Sequence, residues 1–220
     1  LRDLWGSAPN DVWAVGLAGT VLHWNGTAWS SVTSGTTVDL QGVWGSGAND
    51  VWAIGLAGTL LHWEGRTWTR VTHPADPSVG FFSVWGSSSS DVWAVGSQGV
   101  FLHWGGSAWT AASTGSQDHF SGVSGSARDD VWAVSTSGRV LHWDGSAWSR
   151  RDGAQADYFT GVWVNRPDDV WVTGMNNSLQ RWNGRAWERF SAGRITSVGG
   201  SGANDVWAVG TGGRVQRWNG

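Results

Sequence analysis

Short apolar bursts of five or six residues recur along the chain, separated by stretches of Gly, Ser, Asn and Asp. The most regular burst begins Asp-Val-Trp, at Asp11, Asp50, Asp91, Asp130, Asp169 and Asp205, with intervals of 39, 41, 39, 39 and 36 residues. Each period divides into four segments: one like LQGVWGS, then DVWAVG, then GTVLHWNG, then TAWSSV. Val- and Trp-rich segments of this length, bounded by turn residues, predict strands. The pairs between the third and fourth segments, such as Asn25-Gly26, Asp144-Gly145 and Asn183-Gly184, suit two-residue hairpins with positive φ. Each period therefore predicts a four-stranded antiparallel meander. In Val-Trp-Ala-Val both faces of the second strand are apolar, whereas a sheet with one wet face alternates. Both faces must be covered, and sheets packed face to face around an axis do this. A period near 40 agrees, so the predicted fold class is all-β, a six-bladed β-propeller of four-stranded antiparallel blades. A two-sheet solenoid is the alternative.

Spacing shows where the repeat is constrained. From the Asp of Asp-Val-Trp to the fourth-strand Trp is 18 residues in all five complete units, whereas the link from that Trp to the next first-strand slot takes 15, 17, 15, 15 and 12. One connection per blade is free to differ. Repeats begin near Leu1, Leu40, Phe81, Phe120, Phe159 and Ile195, which predicts one domain over residues 1–220. The sixth repeat stops at Asn219-Gly220, so the last blade lacks its outer strand in this chain. A longer parent chain of seven blades stays open.

Composition sharpens this picture. All 21 Trp fall in repeat slots, which marks them as structural; the fourth-strand set Trp29, Trp68, Trp109, Trp148 and Trp187 is the one expected to be partly exposed. The chain has no Cys and no Lys, and its net charge is -3. That charge supplies no electrostatic footprint for nucleic acid. No apolar run approaches the ~20 residues of a membrane-spanning helix, so a soluble domain is expected.

The repeated pieces Val51-Trp52-Ala53-Ile54, Leu61-His62-Trp63-Glu64-Gly65 and Trp68 resemble the tectonin repeat, and WGSGANDVWAVG is similar to exported propellers of GC-rich bacteria. The likeness covers essentially the whole chain. Where tectonin strands usually carry Gly after Val-Trp, this sequence carries Ala. The resemblance implies a lectin-like, carbohydrate-binding protein, bacterial and secreted or held at the cell surface.

Candidate chemistry is sparse. The recurring Asp heading the second strand reads as an acceptor for nearby backbone N–H groups that fixes the hairpin. His23, His62, His103 and His142 share one third-strand slot with Arg181 and Arg217, and this exchange argues for hydrogen bonding or stacking between blades instead of metal binding. No nucleophile and base pattern suggests an enzyme, and the sialidase Asp-box is approached only by Asp144-Gly145-Ser146-Ala147-Trp148, in the wrong order. Individuality lies in the variable links, whose Asp39, His73, Asp76, Asp118, His119, Asp157 and Tyr158 are the ligand-binding candidates. The expected function is non-catalytic glycan recognition, with weak sites in several blades adding by avidity. A protein-interaction or cell-surface scaffold is the alternative. Glycans or a surface protein are the expected partners of a monomer, or of a longer chain, with no metal or other cofactor.

Overall fold

The computed structural model describes residues 1–154, 158–175 and 178–220. Six antiparallel sheets follow one another along the chain, five of four strands and the last of three, each in simple meander order. This is a six-bladed β-propeller. First strands begin at Asp3, Leu40, Phe81, Phe120, Phe159 and Ile195, so only the first start differs from the sequence reading, by two residues. Two compact units divide the chain: residues Leu1–Gln117 hold blades one to three, and Asp118–Gly220 hold blades four to six.

The turn chemistry appears where the sequence placed it. Gly26, Gly65, Gly106, Gly145 and Gly184 take φ between 86° and 92° in the turn before the fourth strand. Between second and third strands the positive φ extends to Ala18, Ala57 and Gln98. Ala18 is held in that conformation by Asp39, whose Oδ1 accepts its N–H at 2.8 Å.

The second strands form the core. Trp13, Trp52, Trp93, Trp132 and Trp171 are all at most 1% exposed. Within the first unit, Trp13 takes the third-strand Trp63 at 4.8 Å and the fourth-strand Trp68 edge-on at 5.3 Å, both from the next blade. Trp52 takes Trp104 and Trp109 in the same way, and in the second unit Trp132 takes Trp182 and Trp187. This geometry corrects the reading of the outer strand: Trp68 and Trp109 are buried because they cap the preceding blade, and only Trp29, with no preceding repeat, reaches 48% exposure.

A second contact joins neighbouring first strands. A Cβ added to Gly45 would stand 2.7 Å from Cη2 of Trp5, and one added to Gly86 would stand 2.5 Å from Cη2 of Trp44; Gly200 faces Trp163 at 3.0 Å. Each first-strand indole thus lies on a glycine of the next blade. Blade four carries Ser124 in the Trp slot, and its neighbour carries Val164 in the Gly slot. There the Ser124 hydroxyl accepts the Val164 N–H at 3.2 Å.

Candidate functional site

At the head of every second strand the recurring Asp gathers side chains, not the backbone donors the sequence reading expected. One carboxylate oxygen accepts from the residue four positions earlier, which is Ser7, Ser46, Ser87, Ser126, Asn165 or Ser201. The other meets the third-strand residue twelve positions later: His23 Nε2 at 2.6 Å from Asp11, His142 Nε2 at 2.8 Å from Asp130, Arg181 Nε at 2.6 Å from Asp169. In blades four to six the second-strand indole N–H also donates to this Asp, as Trp132 does to Asp130 at 2.9 Å. Each His ring lies on the Trp of its own blade, with centroids 3.9 Å apart for Trp52 and His62. The His slot therefore works inside a blade, not between blades. Arg replaces His because its Nε–H offers the same donor, and Arg181 sets its guanidinium over Trp171 at 5.5 Å. Burial raises the Asp130 pKa, but hydrogen bonds from His142, Ser126 and Trp132 outweigh it and leave the group below its ordinary value. The fixed offsets of minus four and plus twelve from each Asp were present in the sequence and are the signal for this tetrad.

The link residues lie with the second-to-third-strand turns at one end of their own blades. Asp39, His119 and Tyr158 share one slot there, because the carbonyl of each accepts an N–H from that turn: Leu56, Thr136 and Met175, at 2.9 to 3.0 Å. His73 Nε2 reaches the carbonyl of Gly58 at 2.9 Å, and its ring stands edge-on to Phe81. Asp76 accepts the N–H of Ser78, and hydrogen bonds from Ser78 lower its pKa. Asp118 pairs with Arg139 at 2.6 Å. Tyr158 is 38% exposed, and Asp157 lies outside the described residues. Most of these polar groups have partners within the loops. Each unit is described by itself, so the two sets, Asp39, His73 and Asp76 in the first and Asp118, His119 and Tyr158 in the second, form no common site in this description. Among the described residues, no group of three or more His, Asp or Glu could hold a metal ion.

The last blade offers a different feature, which the sequence reading recorded only as an absence. Its strands are Ile195–Gly202, Asp205–Gly210 and Arg214–Trp218, and the third pairs only with the second. In the second strand Val206 and Ala208 are buried, while Trp207 is 45% and Val209 42% exposed. Trp171 of blade five takes Trp218 at 5.7 Å, as its counterparts take their third-strand Trp, but no fourth-strand Trp completes the pair. Phe190 stacks on Trp171 instead, at 5.3 Å. A cleft of about 440 Å³ remains, lined by Trp171, Leu179, Phe190, Val198, Ala208 and Trp218 among others. Apolar walls, an unpaired strand edge and the Arg217 guanidinium at the rim suit an extended polypeptide.

Fold and cleft together define a β-propeller with a strand-shaped apolar opening. No protein-family model matches the sequence, and no curated protein does. Solved structures do match in fold. YCF48 bound to a D1 peptide superposes with a TM-score of 0.77 at 17% identity, covering 99% of this chain and 77% of that one. U3-55K gives 0.79 at 14% identity, covering 98% and 75%, and the RRP9 WD40 repeats give 0.78 at 14%, covering 98% and 74%. These likenesses establish the β-propeller fold. No helix among the described residues is long and apolar enough to cross a membrane.

Proposed function

We propose that this chain is a protein-interaction module, a propeller scaffold that holds a polypeptide partner without chemistry of its own. One observation carries the reading: the tetrads use the recurring Asp, His and Arg side chains to hold the blades, whereas the last blade leaves an apolar cleft beside an unpaired strand edge. Apolar clefts flanked by backbone donors and acceptors are suited to polypeptide. The likeness to YCF48, a propeller bound to a D1 peptide, supports the same class of ligand. Glycan binding is the second reading. It draws on the tectonin resemblance and on Tyr158, an exposed ring on a variable link that offers a face for a sugar. An exported or cell-surface location, resting on the same resemblance, goes with either.

The test is a parallel screen of the folded chain against an extended-peptide array and a glycan array. Peptide hits unaffected by free sugars are the expected outcome. Glycan hits displaced by free sugar, with no peptide hit, would overturn the proposal.

A further inference from the structure

In the five complete blades the cross-strand register between third and fourth strands is constant. Trp faces Trp, as in Trp24 with Trp29, Trp63 with Trp68 and Trp182 with Trp187. The next pair varies with the tetrad. Where the third strand carries His, the facing residue is a hydroxyl: Ser30, Thr69, Thr110 or Ser149. Where it carries Arg181, the facing residue is Glu188. Blade five continues with Gln180 facing Arg189 and Leu179 facing Phe190.

Blade six repeats the blade-five third strand. Val215-Gln216-Arg217-Trp218 stands where Leu179-Gln180-Arg181-Trp182 stands, and its outer edge is unpaired. The neighbouring cleft lies where Trp68, Trp109 and Trp187 sit in other blades, over the buried second-strand Trp of the preceding blade. Val215 is 59% exposed, whereas its counterpart Leu179 is 7% exposed beneath its own fourth strand.

Resting on the protein-interaction reading, we infer that the edge Arg214–Trp218 is a strand-acceptor site, and that its ligand is an extended segment of a partner protein with the pattern Trp-acid-x-aromatic. The segment adds antiparallel. Its Trp lies opposite Trp218 and enters the cleft over Trp171, its carboxylate faces Arg217, and its second aromatic covers Val215. Backbone bonds to the edge give affinity, and the indole and carboxylate give selectivity. The charge requirement comes from Arg217, which already holds Asp205 through Nε at 2.9 Å and keeps other guanidinium donors. The sequence Trp187-Glu188-Arg189-Phe190 of this chain shows that the pattern is compatible with the repeat.

The probe is a synthetic peptide copying residues 184–191, Gly-Arg-Ala-Trp-Glu-Arg-Phe-Ser, titrated into the 220-residue chain by fluorescence anisotropy. Binding is expected with new hydrogen-exchange protection confined to residues 214–218. Changing the peptide Trp to Ser should weaken binding about tenfold or more, and Glu to Lys about fivefold or more. N-methylation at alternate peptide nitrogens should abolish it in one register and spare it in the other. Arg217→Ala in the chain should erase the preference for Glu over Lys while leaving binding through the Trp. Peptide binding with protection in the variable links and none at 214–218 would overturn the strand-acceptor site but leave a protein-interaction module standing. Absence of binding by this and every arrayed peptide would sink both. Concentration-dependent self-association that the peptide does not inhibit would instead assign the face to a second copy of the chain.

Discussion

The exchange of Trp and Gly for Ser and Val between blades four and five gives the sharpest test of how blades pack. Where the native pair is Trp and Gly, a Cβ on the glycine would approach the indole to between 2.5 and 3.0 Å, so an indole in one slot and a side chain in the other exclude each other. Ser124→Trp alone forces an indole against Val164, which is 6% exposed, and removes the hydroxyl that accepts the Val164 N–H. Overpacking of this kind costs about 1–3 kcal/mol, with about 1 kcal/mol more for the lost bond. Val164→Gly alone removes a buried isopropyl group and adds strand entropy, about 2–4 kcal/mol together. The double variant rebuilds the arrangement of Trp44 with Gly86. In the Val164→Gly background, Ser124→Trp should therefore stabilise, with a coupling of about 1–3 kcal/mol. Urea unfolding followed by far-UV circular dichroism reads the four midpoints without interference from the added fluorophore. Equal destabilisation by Ser124→Trp in both backgrounds would refute the proposed size complementarity.

Other consequences follow from the tetrads. His142→Arg should keep blade four within about 1 kcal/mol of the parent, because Arg fills this slot in blades five and six, whereas His142→Ala should cost about 1–3 kcal/mol by leaving Asp130 short of a donor. Thermal melts compare the two, and equal losses would contradict the assigned role. Asp130→Ala should be worse, at about 3 kcal/mol, since His142, Ser126 and Trp132 all lose their acceptor. The pH dependence follows from Asp130, held below its ordinary value, and Asp144, lowered to about 2 chiefly by the Ser146 hydroxyl. A carboxyl that binds its proton more weakly folded than unfolded contributes stability above its unfolded value near 3.8, and that stability is lost as the pH falls through the folded value. Urea midpoints should thus hold level above about pH 5 and drop between about pH 4 and pH 2, and Asp144→Ala should remove part of the lower end of that drop; a midpoint that rose on acidification would contradict the linkage.

The blades were legible in the sequence because each strand carries its own signature: an apolar run of the right length, turn pairs at fixed offsets, and second strands apolar on both faces. The tetrad was half legible. Its members lie at fixed distances from each Asp, but an isolated carboxylate at a strand head is equally served by backbone donors, and only the third-strand pairing brings His23 to Asp11. The direction in which an indole points was not legible. Trp68 sits on an outer strand, and its burial depends on the blade it caps, a contact 55 residues away in sequence from Trp13. The cleft of the last blade was visible only as a missing segment, because a void has no residues to mark it; its walls come from blade five as much as from blade six.

The slot that precedes each first strand holds Asp39, Gly80, His119, Tyr158 and Arg194, five different side chains at one position of the repeat. In every case the fold takes from that residue its carbonyl, which accepts an N–H from the turn of the same blade at 2.8 to 3.2 Å. Every amino acid carries that group, so shape is inherited through the main chain while the side chain is left to drift. The propeller thereby has one position per blade at which an acid, a base, a ring or nothing can be written over the same architecture, a natural place for diversification by evolution and for a randomised library by design.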